Sequence, residues 1–176
     1  MRIVDKTARL GRRRFLQTSV GAAVLVGSLS GDSAFAATLT TLSPAAGTTL
    51  TKMARDIYPH DRLPDLFYQN AVETIDRDLA KAADTKTLLQ QGVIALDAAA
   101  NKLHGMPYAK IAGEADRVAV LKQIETSPFF AKVRGAMVTA LYNQPEVWPR
   151  LGYEGSSAEH GGYLHRGFDD IDWLPA

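Results

Sequence analysis

Residues 85–105 read TKTLLQQGVIALDAAANKLHG, and this stretch decides the fold. Leu89, Val93, Leu96, Ala100 and Leu103 step by 4, 3, 4 and 3, the spacing that puts apolar side chains on one face of an α-helix. Thr85 is placed to cap the start and Gly105 to end it. The neighbouring segments repeat the pattern. Pro64 and Asp65 open a helix carrying Tyr68, Val72, Ile75 and Leu79, with Pro in the first turn, where its missing N–H costs nothing. Leu50, Met53, Ala54 and Ile57 share one face of a shorter helix that stops before Pro59. Ala115, Val118, Leu121 and Ile124 mark another. Ser127-Pro128 opens a last one with Phe130, Val133, Met137 and Leu141, and Asn143 stops it. No stretch alternates with period two. The expected fold is all-α: a small bundle of about five helices over residues 48–142, with no internal repeat.

Residues 143–176 differ. They hold five Gly and three Pro, together with five of the twelve aromatic residues that follow residue 36. These are Trp148, Tyr153, Tyr163, Phe168 and Trp173. Disordered tails are poor in aromatics, so the segment reads as an irregular arm whose rings are covered, either by its own bundle or by a partner. Trp and Tyr are favoured interface anchors, which makes these five the candidate partner-binding residues.

The first 36 residues divide into the parts of an export leader. Arg2, Lys6, Arg9 and Arg12 to Arg14 form a basic front. Arg12-Arg13-Arg14-Phe15-Leu16 reads as the core of a twin-arginine signal. An apolar run from Val20 to Leu29 follows, well short of the roughly 20 residues a bilayer span needs. Ala34-Phe35-Ala36 supplies the small-x-small pattern for cleavage after Ala36. Residues 37–47 then read as a small, polar linker. The expected product works in the periplasm.

The whole chain carries 20 basic and 19 acidic residues. Six of the basic and two of the acidic ones lie in residues 1–36, which leaves 14 against 17. A body of this size, with a charge near −3, is long enough for one core and is a poor nucleic-acid binder. The chain has no cysteine. Thiolate catalysis, iron–sulfur clusters, covalent haem and Cys-ligated zinc are therefore excluded within it.

Chemistry-bearing patterns are few. There is no GxGxxG, Walker loop or HExxH, and Gly155-Ser156-Ser157 lacks the strand and helix of a nucleophile elbow. His160 and His165, with Asp169, Asp170 and Asp172, carry donor atoms for a metal, but their spacing matches no recognised site. A self-sufficient periplasmic enzyme or metal-binding protein built on them is the alternative reading. Asp56, His60 and Asp61 resemble an acid–base cluster, although Tyr58-Pro59-His60 reads more simply as a helix-end turn. Glu73 and Arg77 are spaced as a surface pair. The twin-arginine route carries folded passengers, most usefully those loaded with a cofactor. Such a leader on a body without cofactor motifs points to a second, cofactor-bearing subunit that travels with this one.

Several segments carry a family resemblance. They are Met53-Ala54-Arg55-Asp56-Ile57-Tyr58-Pro59-His60, Pro128-Phe129-Phe130, Leu141-Tyr142, Trp148 with Leu151-Gly152-Tyr153, Gly161-Gly162-Tyr163, and Arg166 to Trp173. With the leader, they resemble the gluconate 2-dehydrogenase subunit 3 family. That resemblance implies a non-catalytic small subunit of a periplasmic dehydrogenase acting on sugars or polyols. Its implied partner is a leaderless large subunit of the glucose-methanol-choline type that binds FAD. A multihaem cytochrome c subunit, holding haem c, would pass electrons to the membrane. The small subunit's leader would take the large one through the Tat translocase. No catalytic, cofactor-binding or metal-binding residue of this chain is implied.

Overall fold

The computed structural model describes residue 35 and residues 38–79 and 81–165. The leader residues Arg12, Arg13, Phe15 and Leu16, the cleavage residues Ala34 and Ala36, and the tail residues Phe168, Asp169, Asp170, Asp172 and Trp173 lie outside the described residues. Within them the chain is all-α, as the periodicity requires. The helices are α1 (Pro44–Ile57), α2 (Asp65–Leu79), α3 (Ala83–His104), α4 (Glu114–Ile124), α5 (Pro128–Tyr142) and the one-turn α6 (Trp148–Leu151). Two 3-10 turns, Tyr108–Lys110 and Ser157–His160, complete the order.

Both Ser-Pro pairs start helices in the same way. The Ser127 hydroxyl accepts from the Phe130 N–H at 3.1 Å, and the Ser43 hydroxyl accepts from the Ala46 N–H at 3.2 Å. Pro follows each as the first helical residue. Helix α1 therefore begins inside the stretch expected to be linker. The sequence PAAGTTLT hid it, because Gly and Thr are weak helix formers. The structure accommodates the threonines by turning their hydroxyls onto the preceding turn: Thr48 donates to Pro44 C=O and Thr51 to Gly47 C=O. Gly105 ends α3 as expected, in the left-handed region at φ 69°, and its N–H donates to Asn101 C=O at 2.9 Å.

Helix α2 packs against α1 and α5, and α3 against α4 and α5. Met53, Ala54, Tyr68, Ala71, Leu96, Ala100, Tyr108, Val120, Met137 and Leu141 are fully enclosed between them. Gly92 is the close-approach point of α3 and α5: a Cβ there would fall within the ring of Phe129. Two expected faces shift. Leu103 is exposed near the end of α3. On α4 the buried residues are Arg117, Val120 and Leu121, while Ala115 faces solvent. The helix is turned to bring Arg117 inward, which apolar periodicity alone does not register.

Candidate functional site

Two polar clusters and one aromatic cluster hold the chemistry of the described residues. The first is centred on Asp56, whose side chain is only 2% exposed. Arg117 grips it with two parallel hydrogen bonds, Nε to Oδ2 at 2.7 Å and Nη2 to Oδ1 at 2.8 Å. Arg117 Nη1 donates to the carbonyls of Ile111 and Ala112, and the Tyr108 hydroxyl donates to Asp56 Oδ2 at 2.5 Å. Asp97 holds the same loop from α3 by accepting from the Tyr108 N–H at 3.0 Å. Burial, then the hydrogen bond to the Asp56 carboxylate and its charge, push the Tyr108 phenol far above its ordinary pKa. It remains a neutral donor at any physiological pH. The hydrogen bonds that Arg117 donates to Asp56 raise its own pKa. This cluster joins α1, α4 and the Tyr108 turn, and its donors and acceptors answer one another.

The second cluster is Asp76 on α2, buried and ringed by N–H donors from residues 40–42. Burial works to raise its pKa, but the hydrogen bonds from Thr40, Leu42 and Thr41 outweigh burial and hold the carboxyl below its ordinary value.

The aromatic cluster forms where the α1–α2 connection, the end of α5 and the arm meet. Pro59 stops α1, so Tyr58 and His60 turn across the end of the bundle onto Tyr142. Tyr58 meets the Tyr142 ring edge-on at 5.9 Å and His60 meets it at 5.6 Å. His60 Nε2 and Tyr142 Oη share a hydrogen bond of 2.7 Å. The Tyr58 hydroxyl donates to Arg134 C=O, and the Tyr68 hydroxyl donates to Tyr58 C=O. Burial, with Tyr58 adding to it, raises the Tyr142 pKa. Arg55 lies over the Tyr68 ring at 5.2 Å, donates to Leu63 C=O and pairs with Asp65 at 3.0 Å.

The base of the arm continues this cluster. Gln144 Nε2 donates to Phe67 C=O and Ala140 C=O, and Val147 is fully buried. The Trp148 indole N–H donates to Tyr142 C=O at 2.7 Å. Tyr153 then stands edge-on against Trp148 at 5.5 Å. Gly155 passes over the indole at φ 102°, a backbone conformation that favours glycine. Arg150 covers the Phe67 ring at 5.1 Å.

Of the expected partner-binding residues, the structure thus ties Trp148 into the bundle and leaves Tyr153 half exposed. Tyr163 is 61% exposed and its neighbour Leu164 is 75% exposed. Leu66 and Leu151 add exposed apolar surface at the start of α2 and the end of α6.

The other candidates separate. Asp56 turns to Arg117 and His60 to Tyr142, while Asp61 is exposed, so the three do not converge. His160 and His165 are both exposed, and His160 Nε2 lies 3.3 Å from Glu154 C=O. Among the described residues no three His, Asp or Glu side chains gather as a metal site. Arg77 donates to Thr74 Oγ1 on its own helix. The sequence reading missed Arg117, Tyr108 and Asp76. The one available signal for Arg117 was a charge lying between the apolar positions of α4.

A small all-α domain, with its interior charges matched within its own frame and an aromatic end face directed outward, is the class that fold and site define. A family model described as Gluconate 2-dehydrogenase subunit 3 matches residues 44–155, and the chain belongs to that family. It is an accessory subunit of this type, and a dehydrogenase partner is implied. The match takes in the Tyr58–His60–Tyr142 cluster, Trp148 and Tyr153. The tail from Gly161 onward, prominent in the sequence resemblance, lies beyond it. No curated protein and no solved structure shows a significant match. No helix among the described residues is long and apolar enough to cross a membrane.

Proposed function

We propose that this chain is the export escort and structural partner of a periplasmic, FAD-dependent sugar or polyol dehydrogenase of the glucose-methanol-choline type. Its twin-arginine leader takes a leaderless, folded large subunit through the Tat translocase. A multihaem cytochrome c then links the complex to the membrane. FAD and haem belong to the partners, and this chain positions them. The observation that carries the reading is the aromatic end face: Trp148 is anchored by its indole N–H to Tyr142 C=O, while Tyr153 and Tyr163 project from the same arm with much of their rings uncovered. Anchored aromatics beside exposed ones suit a docking surface for a larger protein. Phe168 and Trp173 extend the same apolar composition further along the arm.

The test is genetic and biochemical. Deleting this gene should strand the flavoprotein in the cytoplasm and abolish periplasmic dye-linked dehydrogenase activity. Replacing Arg12 and Arg13 together by Lys should have the same effect with the mature domain unaltered, because the translocase reads the guanidinium pair and not charge alone. A flavoprotein that reaches the periplasm normally in either strain overturns the escort role.

A further inference from the structure

Glu73 and Arg77 are spaced as a surface pair, but the folded chain separates them. Glu73 Oε1 lies 2.6 Å from the Thr38 hydroxyl, and Arg77 is left with the neutral Thr74 hydroxyl at 3.0 Å. Asp78, its neighbour in the chain, is already paired with Lys81 at 3.1 Å. Among the described residues, neither Arg77 nor Lys132 of α5 has an ion-pair partner. Both cations line one cleft of about 460 Å³ between α2, the start of α3 and α5. Its apolar wall is Ile75, Leu89, Val133, Ala136 and Ala140. The helix directions set the ends of the cleft. Gln144, just past α5, bonds to Asn70 and to Phe67 C=O in the first half of α2, so the two helices run antiparallel. Arg77, near the end of α2, therefore falls toward Lys132, near the start of α5. The amides of Asn143 and Gln144 close the far end. From Lys132 to Asn143 the helix rises about 16 Å.

We infer that this cleft binds a single-chain fatty carboxylate, its alkyl chain along the apolar wall and its carboxylate at the Arg77–Lys132 end. Each part of the trough selects for that chemistry. An apolar wall with a few polar groups gathered at its ends is the usual make-up of a small-molecule site, and its volume falls in the lower part of the common range of about 300–1,000 Å³. Two cations without a carboxylate partner call for an anion, which either can hold by charge-assisted hydrogen bonds. A peptide laid in the trough would press its backbone N–H and C=O groups on side chains that cannot pair with them. A phospholipid would bring two chains to a cleft of this size. The site stands on the helices alone and is independent of the export reading.

The experiment titrates the purified full chain with decanoate below its micelle concentration, and calorimetry reads the heat. Decanol and vesicles of phosphatidylglycerol are run in parallel. The variants are Lys132→Glu, Lys132→Arg and Ala136→Trp, each checked for helicity by circular dichroism. The expected result is saturable binding of one decanoate per chain. Decanol, and decanoate on Lys132→Glu, should each bind about tenfold more weakly or worse, because each loses the charge match. Lys132→Arg should bind as the wild type does, and Ala136→Trp, which fills the trough, should not bind. Lys132 is exposed, so its two variants decide the matter should Ala136→Trp unfold the bundle. No saturable binding of decanoate overturns the inference. So does equal affinity in Lys132→Glu, which would place the amphiphile on another surface. Binding to the vesicles with none to decanoate overturns it as well, in favour of a membrane surface.

Discussion

Asp56 and Arg117 lie 61 positions apart in the chain and meet in the interior through two hydrogen bonds of 2.7 and 2.8 Å. Both side chains are more than nine-tenths buried. Removing one partner strands a charge away from water, which costs about 3–5 kcal/mol. Arg117→Ala should therefore lower stability by about that amount in urea unfolding. Asp56→Leu combined with Arg117→Met should recover a large part of the loss, because no buried charge is then left unpaired. A single substitution costing under about 1 kcal/mol would show that water enters the site.

Gly92 admits the Phe129 ring against the α3 backbone. Gly92→Ala should destabilise the bundle by about 1–3 kcal/mol, although Ala is the better helix former, because overpacking outweighs the propensity gain of about 1 kcal/mol. Adding Phe129→Leu to Gly92→Ala should restore part of the loss, since the smaller side chain gives room to the new methyl. A double-mutant cycle read by thermal melting checks the coupling.

Asp76 gives the docking of residues 40–42 a pH dependence. Its native carboxyl sits below the ordinary value of about 3.9. The stabilisation is therefore complete above that unfolded-state value and is lost as pH falls through the native one. The difference in Tm between wild type and Asp76→Asn should be largest above pH 5 and shrink steadily toward pH 3. Amide exchange at Thr40, Thr41 and Leu42 should accelerate over the same range. A Tm difference that grows on acidification would reverse the assigned sign.

Val147 is fully buried and Trp148 is bonded to Tyr142, so the arm begins inside the core. A chain ending at Asn143 should lose stability, whereas one ending at Gly152 should melt close to the full chain. The chain ending at Gly152 should nevertheless lose co-purification with the dehydrogenase subunit. Tyr153→Ala and Tyr163→Ala should each weaken that association by about 1–2 kcal/mol with little change in Tm, and Trp148→Ala should affect both. Undiminished association of the chain ending at Gly152 would place the interface on the helices.

How far the sequence reaches is clearest helix by helix. Apolar period, the Ser127-Pro128 start and Gly105 were enough for the all-α fold, for the ends of α5 and for the close of α3, because caps and amphipathic faces are local properties of the chain. The burial of Tyr68, Val72 and Ile75 on α2, and of Leu89, Val93, Leu96 and Ala100 on α3, follows for the same reason. The early start of α1 was hidden by residues of weak helix propensity that are helical because the bundle packs on them.

The inward turn of α4 was hidden for a related reason. Arg117 is buried by a carboxylate on another helix, and no local pattern announces that pairing. The same holds at the candidate site. Composition singled out Trp148, Tyr153 and Tyr163 as a group, since rings in a Gly-rich arm must be covered by something. Only the tertiary structure divided them, sealing Trp148 to Tyr142, leaving Tyr153 half exposed against Trp148 and Tyr163 mostly exposed. Asp76 reads in sequence as one more helix-surface acid. It becomes the anchor of residues 40–42 because α2 presents it to three N–H groups more than thirty residues earlier, an arrangement that exists only once the helices have packed.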